Sequence, residues 1–186
     1  MRGSHLRNRI ITNIEEAVKM IEACTECASI LPEVGTNIAM ALPNAKDLEG
    51  VAGLTGRIIR VEDRAVGVGE PKFGATRFMG TVLLAAMRYN PEFRAVINIK
   101  YSPEIVRVCE ELGMEAKTYE WEKKPAEAIE MKCTIPFTID KLQRASEVVY
   151  DLGDVGVEAS VAIFGRTAID IARKAVKIAK RYAKKK

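Results

Sequence analysis

Histidine is almost absent from this 186-residue chain: the single copy is His5, within the opening stretch "MRGSH". The remainder therefore has no imidazole for a Ser–His or Cys–His nucleophilic pair, or for a histidine-rich metal site. Any general acid or base must be Asp, Glu, Lys, Tyr or Cys. Apolar runs of membrane-spanning length are also missing. No Gly-Lys-Ser/Thr follows Gly74, so there is no Walker A loop, and no G-x-G-x-x-G opens a helix. Nothing resembles a helix-turn-helix, zinc-finger or RNP motif, so no direct nucleic-acid contact is expected of this domain. Cysteine is sparse, with four copies. Cys24 and Cys27 form a C-x-x-C, but within an amphipathic helix pattern and without a second ligand pair. Cys109 and Cys133 are isolated and read as buried small hydrophobes, and the role of the C-x-x-C stays open. A reducing cytoplasm is the expected compartment.

What is present is the composition of a folded domain, with 48% apolar and 29% charged residues. That length can bury one core. Residues 1–5 read as a cloning leader, since no apolar core follows them, and 6–186 read as a single domain excised from a longer protein. The net charge of +4 is concentrated in "ARKAVKIAKRYAKKK", an amphipathic last helix whose basic end suits the helix dipole.

The spacing predicts a helix from Asn13, as its cap, to Ile30. A strand over "EVGTNIAMAL" should follow, then a turn-rich connection over "PNAKDLEGVAGLTG" and a hairpin over "RIIRVEDRAVGVG" turning at Glu62-Asp63. The helix after Gly74 should bury Met79, Val82, Leu83, Ala86 and Met87. "RAVINIKY" reads as a buried strand. "SPEIVRVCEELGM" reads as a helix capped by Ser102, with Pro103 in its first turn and Gly113 at its end. "EAKTYEW" reads as a strand, 123–136 have no clear pattern, and "FTIDKLQRAS" reads as a helix. "EVVYDLGDVG" gives a strand and loop, "EASVAIFG" another strand, and "TAIDIARKAVKIAKRYA" the last helix. The mixture argues for an α/β domain with a mixed sheet.

Three glycine-bearing turns could meet a ligand. Gly35, Thr36 and Asn37 offer backbone N–H groups, a hydroxyl and a carboxamide. In "EPKFGATRF", Gly74 permits close approach to the backbone, Thr76 can cap the helix, and Arg77 and Phe78 follow at a helix start suited to a phosphate. In "YDLGDVGVE", Asp151, Asp154 and Glu158 could take a metal ion bridging phosphates. Arg57, at the start of the hairpin, has the planar fork that matches phosphate oxygens. Asn98, on the buried strand, joins the candidate ligand set.

The segments "ILPEVGTNIAMALPNA", "GRIIRV", "FGATRFMGTVLLAAMRYNPEFRAVINIKYSPEIV" and "VVYDLGDVGVEASVAIFG" together closely resemble the ThiN family, the archaeal-type thiamine-phosphate synthase domains. The resemblance runs from about Ile30 to Ala179. It implies a three-layer α/β/α sandwich of the class II aldolase type, with a mixed, largely antiparallel sheet. It also implies the joining of hydroxymethylpyrimidine diphosphate to thiazole phosphate, giving thiamine phosphate and diphosphate, with Mg²⁺ as the cofactor of an active member. Other members are fused to a pyrimidine kinase, or follow a DNA-binding domain as thiamine-phosphate-sensing regulators. The implied catalytic arginine is Arg57. The implied histidine lies in a "GxSRH" segment, which reads "GATRF" here, so Phe78 holds its position. The resemblance therefore implies a domain that binds thiamine phosphate or its precursors with weak or no catalysis, beside the alternative of an active synthase. A class II aldolase activity would need several histidines. The sequence leaves the oligomeric state open, a homo-oligomer included.

Overall fold

The computed structural model describes residues 2–131 and 133–185. Met1 of the presumed leader, Lys132 in the stretch without a clear pattern, and Lys186 lie outside them. The strands are β1 (Ile38–Ala41), β2 (Val51–Leu54), β3 (Ile58–Val61), β4 (Arg64–Gly67), β5 (Pro71–Phe73), β6 (Ala95–Lys100), β7 (Ala116–Lys117), β8 (Val148–Asp151) and β9 (Ser160–Gly165). The helices are α1 (Arg2–Glu22), α2 (Arg77–Tyr89), α3 (Pro103–Glu111), α4 (Ala126–Met131), α5 (Ile135–Leu142) and α6 (Ala168–Ala183). Seven strands form one sheet in the order β5-β2-β1-β6-β9-β8-β7, while β3 and β4 pair separately. Within the large sheet only β7–β8 is parallel.

Successive residues of a strand point to opposite faces, and here both faces are covered. Ile38 and Met40 of β1, Ile97 and Ile99 of β6, and Val161 and Ile163 of β9 join a core with α1, α3 and α6. Their neighbours Ala39, Ala41, Val96, Ala162 and Phe164 join a second core with α2 and α5. The three layers expected from the sequence are therefore present, and the sheet is largely antiparallel. The helix after Gly74 buries Met79, Val82, Leu83, Ala86 and Met87 as its spacing predicts. Ser102 accepts a hydrogen bond from the Ile105 N–H (3.1 Å), Pro103 opens α3, and Gly113 follows its end at φ +82°. The hairpin turns at Glu62-Asp63, with Val61 opposite Arg64.

Other elements differ from expectation, each for a tertiary reason. The first helix begins at Arg2 and stops at Glu22. Cys24 is extended (φ −98°, ψ 107°), and Thr25–Ile30 forms a 3₁₀ helix that buries Cys27, Ala28 and Ile30. Asn13 caps no start of α1: it lies inside that helix, and its Oδ1 accepts from the Ile169 N–H (3.2 Å) in the first turn of α6. "EAKTYEW" pairs only at Ala116–Lys117. Beyond them Tyr119 and Trp121 pack edge to face at 4.8 Å. Pro71–Phe73 adds an unexpected edge strand, a place where proline is tolerated.

The turn-rich reading of "PNAKDLEGVAGLTG" misses β2, because Gly53 looks like a breaker. Its reason is packing: a Cβ there would stand 2.2 Å from Thr76 Cγ2 and 3.1 Å from the Ile38 carbonyl oxygen. Gly53 lets the start of α2 lie against the sheet. Gly53→Ala is therefore expected to destabilise the domain by about 1–3 kcal/mol through overpacking. Adding Thr76→Ser should return part of the loss, and denaturant midpoints for the single and double variants check it.

All four cysteines are free and buried. Burial pushes the Cys109 and Cys133 thiols from an ordinary 9.0 up to about 12. Burial, and then a hydrogen bond with Cys24, raises Cys27 as well. The folded state thus favours the neutral thiol. This contribution to stability is complete below the unfolded-state value of 9.0 and is lost as pH rises from there through about 12. The unfolding free energy from denaturant titrations should fall between pH 9 and 11, by up to about 1.4 kcal/mol per thiol per pH unit. Cys109→Ala should remove its share of the slope.

Candidate functional site

One cleft of about 510 Å³ opens where the ends of β2 and β6, the start of α2 and the loop before β9 meet. Asn37, Arg57, Thr76, Arg77, Phe78, Asn98 and Glu158 line it, so the structure brings together seven candidate residues spread over much of the sequence. Gly35, Thr36, Gly74 and Asp154 do not line this cleft.

The Gly35–Asn37 turn is held by the protein itself. Thr36 is fully buried, and its hydroxyl donates to the Asn98 carbonyl oxygen at 2.9 Å. The Asn37 carboxamide, expected to face a ligand, instead donates to the Leu54 and Gly56 carbonyl oxygens (3.3 and 3.1 Å), and its Oδ1 accepts from the Ile38 N–H (2.8 Å). Asn98 ties the turn to β6, with Oδ1 accepting from the Asn37 N–H at 2.7 Å and Nδ2 donating to the Gly35 carbonyl oxygen at 3.3 Å. These amides position the cleft wall, because polar groups at this depth must be paired.

The opposite wall is the first turn of α2. Thr76 stands at the cap position, but its side chain makes no capping bond. The earliest helical bond runs from the Gly80 N–H to the Thr76 carbonyl oxygen, 3.1 Å. The N–H groups of Arg77, Phe78 and Met79 thus have no helical acceptor, and the dipole favours an anion there. Gly74 sits behind this turn at φ +76°, its N–H donating to the Val51 carbonyl oxygen (2.9 Å). It shapes the entry to the helix and does not meet the cleft.

Two cations line the cleft. Arg57 is exposed, and its Nη1 donates to the Val34 carbonyl oxygen at 2.7 Å. Arg77 is exposed as well. Neither forms an ion pair among the described residues. Phe78 is half-buried, lines the same cleft and packs against the core under α2. Ser160, half-buried at the start of β9, also lines the cleft. As the opening of an apolar strand pattern it carries no signal in the sequence.

The acidic loop is not a cation cage. Asp151 is buried, accepts from the Thr134 and Gly153 N–H groups (2.9 and 2.8 Å), and lies 3.5 Å from Lys124. Asp154 lies 3.6 Å from the same lysine and lines a separate cavity of about 230 Å³. Glu158 accepts from the Glu33 and Val34 N–H groups (2.9 and 3.3 Å). Among the described residues no three His, Cys, Asp or Glu side chains converge. Asp151, Asp154 and Glu158 thus each meet protein partners and do not converge on one point.

The profile of the family described as thiamine-phosphate synthase ThiN matches residues 13–177. The chain belongs to the ThiN family. The thiamine-phosphate synthase ThiN of Methanothermobacter thermautotrophicus is 30% identical to it over 177 residues, covering 92% of this chain and 93% of that protein. The bifunctional thiamine biosynthesis protein ThiDN of Methanocaldococcus jannaschii is 31% identical over 179 residues, covering 95% of this chain but 42% of that protein. This ThiN chain therefore spans under half of that relative. Among solved structures, the C-terminal domain of a phosphomethylpyrimidine kinase superposes with a TM-score of 0.78 at 31% identity, over 95% of this chain and 99% of that one. A sugar-phosphate aldolase from Thermotoga maritima superposes at 0.53 with 11% identity, over 97% and 95% of the two chains, a likeness of fold alone. That fold is the class II aldolase-like sandwich expected from the sequence. Among the described residues no helix is long and apolar enough to cross a membrane.

Proposed function

We propose that this ThiN domain binds thiamine phosphate, or the phosphorylated pyrimidine and thiazole from which it is made, and joins them weakly or not at all. The observation that carries the reading is one cleft that combines two guanidinium groups without carboxylate partners and an uncapped helix start, yet offers no imidazole. Phosphate oxygens suit the arginine forks and the free N–H groups. The Phe78 ring can stack on a thiazole or pyrimidine but cannot donate a hydrogen bond. The one histidine, His5, is exposed on α1 and outside the cleft lining.

The alternative, an active synthase, is favoured by the chemistry itself. The thiazole nitrogen attacks the pyrimidine methylene with its own lone pair, so no base must remove a proton. A C–N bond forms, the C–O bond to diphosphate breaks, and the electron pair leaves on the diphosphate oxygen. Arg57, Arg77 and the N–H groups of α2 can stabilise that developing charge. Mg²⁺ would supply further neutralisation as a companion of the diphosphate.

Two measurements decide between the readings. Calorimetry with thiamine phosphate should show binding, and its absence would count against both. The domain mixed with hydroxymethylpyrimidine diphosphate, thiazole phosphate and Mg²⁺ should form thiamine phosphate slowly or not at all. Turnover matching a histidine-bearing ThiN protein would overturn the binding reading in favour of the synthase.

A further inference from the structure

We infer that Glu158 is a positioning residue for Arg57, acting through the backbone of Glu33 and Val34 and not through contact with a ligand. The inference rests on the binding reading above. The Glu158 carboxylate spends one oxygen on each of two backbone donors: Oε1 accepts from the Glu33 N–H at 2.9 Å, and Oε2 from the Val34 N–H at 3.3 Å. The Val34 carbonyl oxygen then accepts from Arg57 Nη1 at 2.7 Å. Three hydrogen bonds thus link the Glu158 carboxylate to the Arg57 guanidinium through two residues of backbone.

The segment is held on both sides of the Val34 carbonyl: after it, Asn98 Nδ2 donates to the Gly35 carbonyl oxygen and the Thr36 N–H to the Ile58 carbonyl oxygen (2.9 Å), while before it the hold is Glu158. The Val34 side chain is 57% exposed, so packing does not hold it. The neighbouring bond, from the Gly35 N–H to the Pro32 carbonyl oxygen (3.0 Å), closes the turn locally without anchoring it to the cleft. Glu158 anchors the side that precedes the Val34 carbonyl, reaching across 125 and 124 positions of sequence. The stem of Arg57 lies against the same turn. Gly35 adopts φ +83°, and a Cβ there would come within 3.2 Å of both Arg57 Cβ and Cδ. Glycine at 35 therefore lets the stem pass, and Val34 holds the head. A direct Glu158–Arg57 ion pair would offset the cation that a phosphate needs; the indirect route orients the guanidinium and leaves it without a carboxylate partner.

The test has one arm without ligand and one with it. In the free protein, the order parameter of the Arg57 Nε–H by NMR should drop to mobile values, below about 0.6, in Glu158→Ala. Glu158→Gln should fall between, because a carboxamide has one acceptor oxygen for two N–H donors. It also keeps the test open if the alanine variant folds poorly. In the second arm, calorimetry with inorganic pyrophosphate is run as a double-mutant cycle with Arg57→Ala. Glu158→Ala should weaken binding about 10-fold in the parent and less than about 2-fold in Arg57→Ala. Unchanged Arg57 order in Glu158→Ala overturns the inference. So does an equal loss in both backgrounds, which would mean that Glu158 meets the ligand itself. Should the parent bind neither pyrophosphate nor thiamine phosphate, the binding reading fails, and the NMR arm still decides the role of Glu158.

Discussion

Arg57→Ala is expected to weaken thiamine phosphate binding about 10- to 100-fold, the size of one lost charge-assisted hydrogen-bonding group. The guanidinium is exposed, so part of its attraction is screened by solvent and salt, and the lower half of that range is expected at physiological ionic strength. Arg57→Lys should recover part of the loss: it keeps the charge but not the planar fork. Arg77→Ala should weaken binding too, with a steeper benefit from low salt. It lacks the carbonyl partner that steadies Arg57, so more side-chain entropy is lost when a phosphate holds it. Calorimetric titrations of the three variants at two salt concentrations check both the order and the salt dependence. An Arg57→Ala protein that binds like the parent would remove the phosphate from this wall of the cleft.

Phe78→His should raise the rate of thiamine phosphate formation about 100- to 1000-fold, the range associated with a single well-placed donor to developing negative charge. Phe78 is the second residue of α2, and its ring borders the same cleft as both arginines. An imidazole there could donate to a diphosphate oxygen as the C–O bond breaks. Affinity for thiamine phosphate should change much less, because the gain lies in charge that develops only during reaction. Single-turnover quench assays with both phosphorylated substrates separate the chemical step from product release. If Phe78→His stays as slow as the parent while still binding, the missing imidazole is not what limits the chemistry.

Several elements are legible from local signals alone. Ser102, Pro103 and Gly113 mark α3 through its own capping chemistry, and alternation marks the hairpin up to its Glu62-Asp63 turn. β2 is hidden because the reason for Gly53 lies 23 positions away, in the Thr76 methyl group that packs over it. Asn13 misleads for a similar reason: its cap serves the last helix, not its own. The candidate site is legible as residue types and motif order, which bring Arg57, Arg77, Phe78 and Glu158 to one cleft. It is not legible as free valences. Thr36, Asn37 and Asp151 look like ligand groups in the sequence, yet the Asn98, Leu54 and Gly56 carbonyls and the Thr134 N–H engage them from elsewhere in the fold, with the nearby Gly153 N–H also on Asp151. Hydrogen-bond occupancy is a tertiary property, and residue spacing does not encode it.

The sheet order has a consequence for the sequence of events during synthesis. β5, β2, β1 and β6 are neighbours and all lie between Ile38 and Lys100, ahead of the other three strands, so half of the sheet can pair early. β8 and β7 have no route to that half except through β9, which joins late and inserts between β6 and β8. α1, which precedes the whole sheet, finds its α6 neighbour only when that helix arrives after β9. Such non-local closure slows folding and leaves apolar faces waiting for partners. Because Glu158 and Ser160 ride on the segment that brings β9 in, the cleft and the completed sheet arise in the same late event.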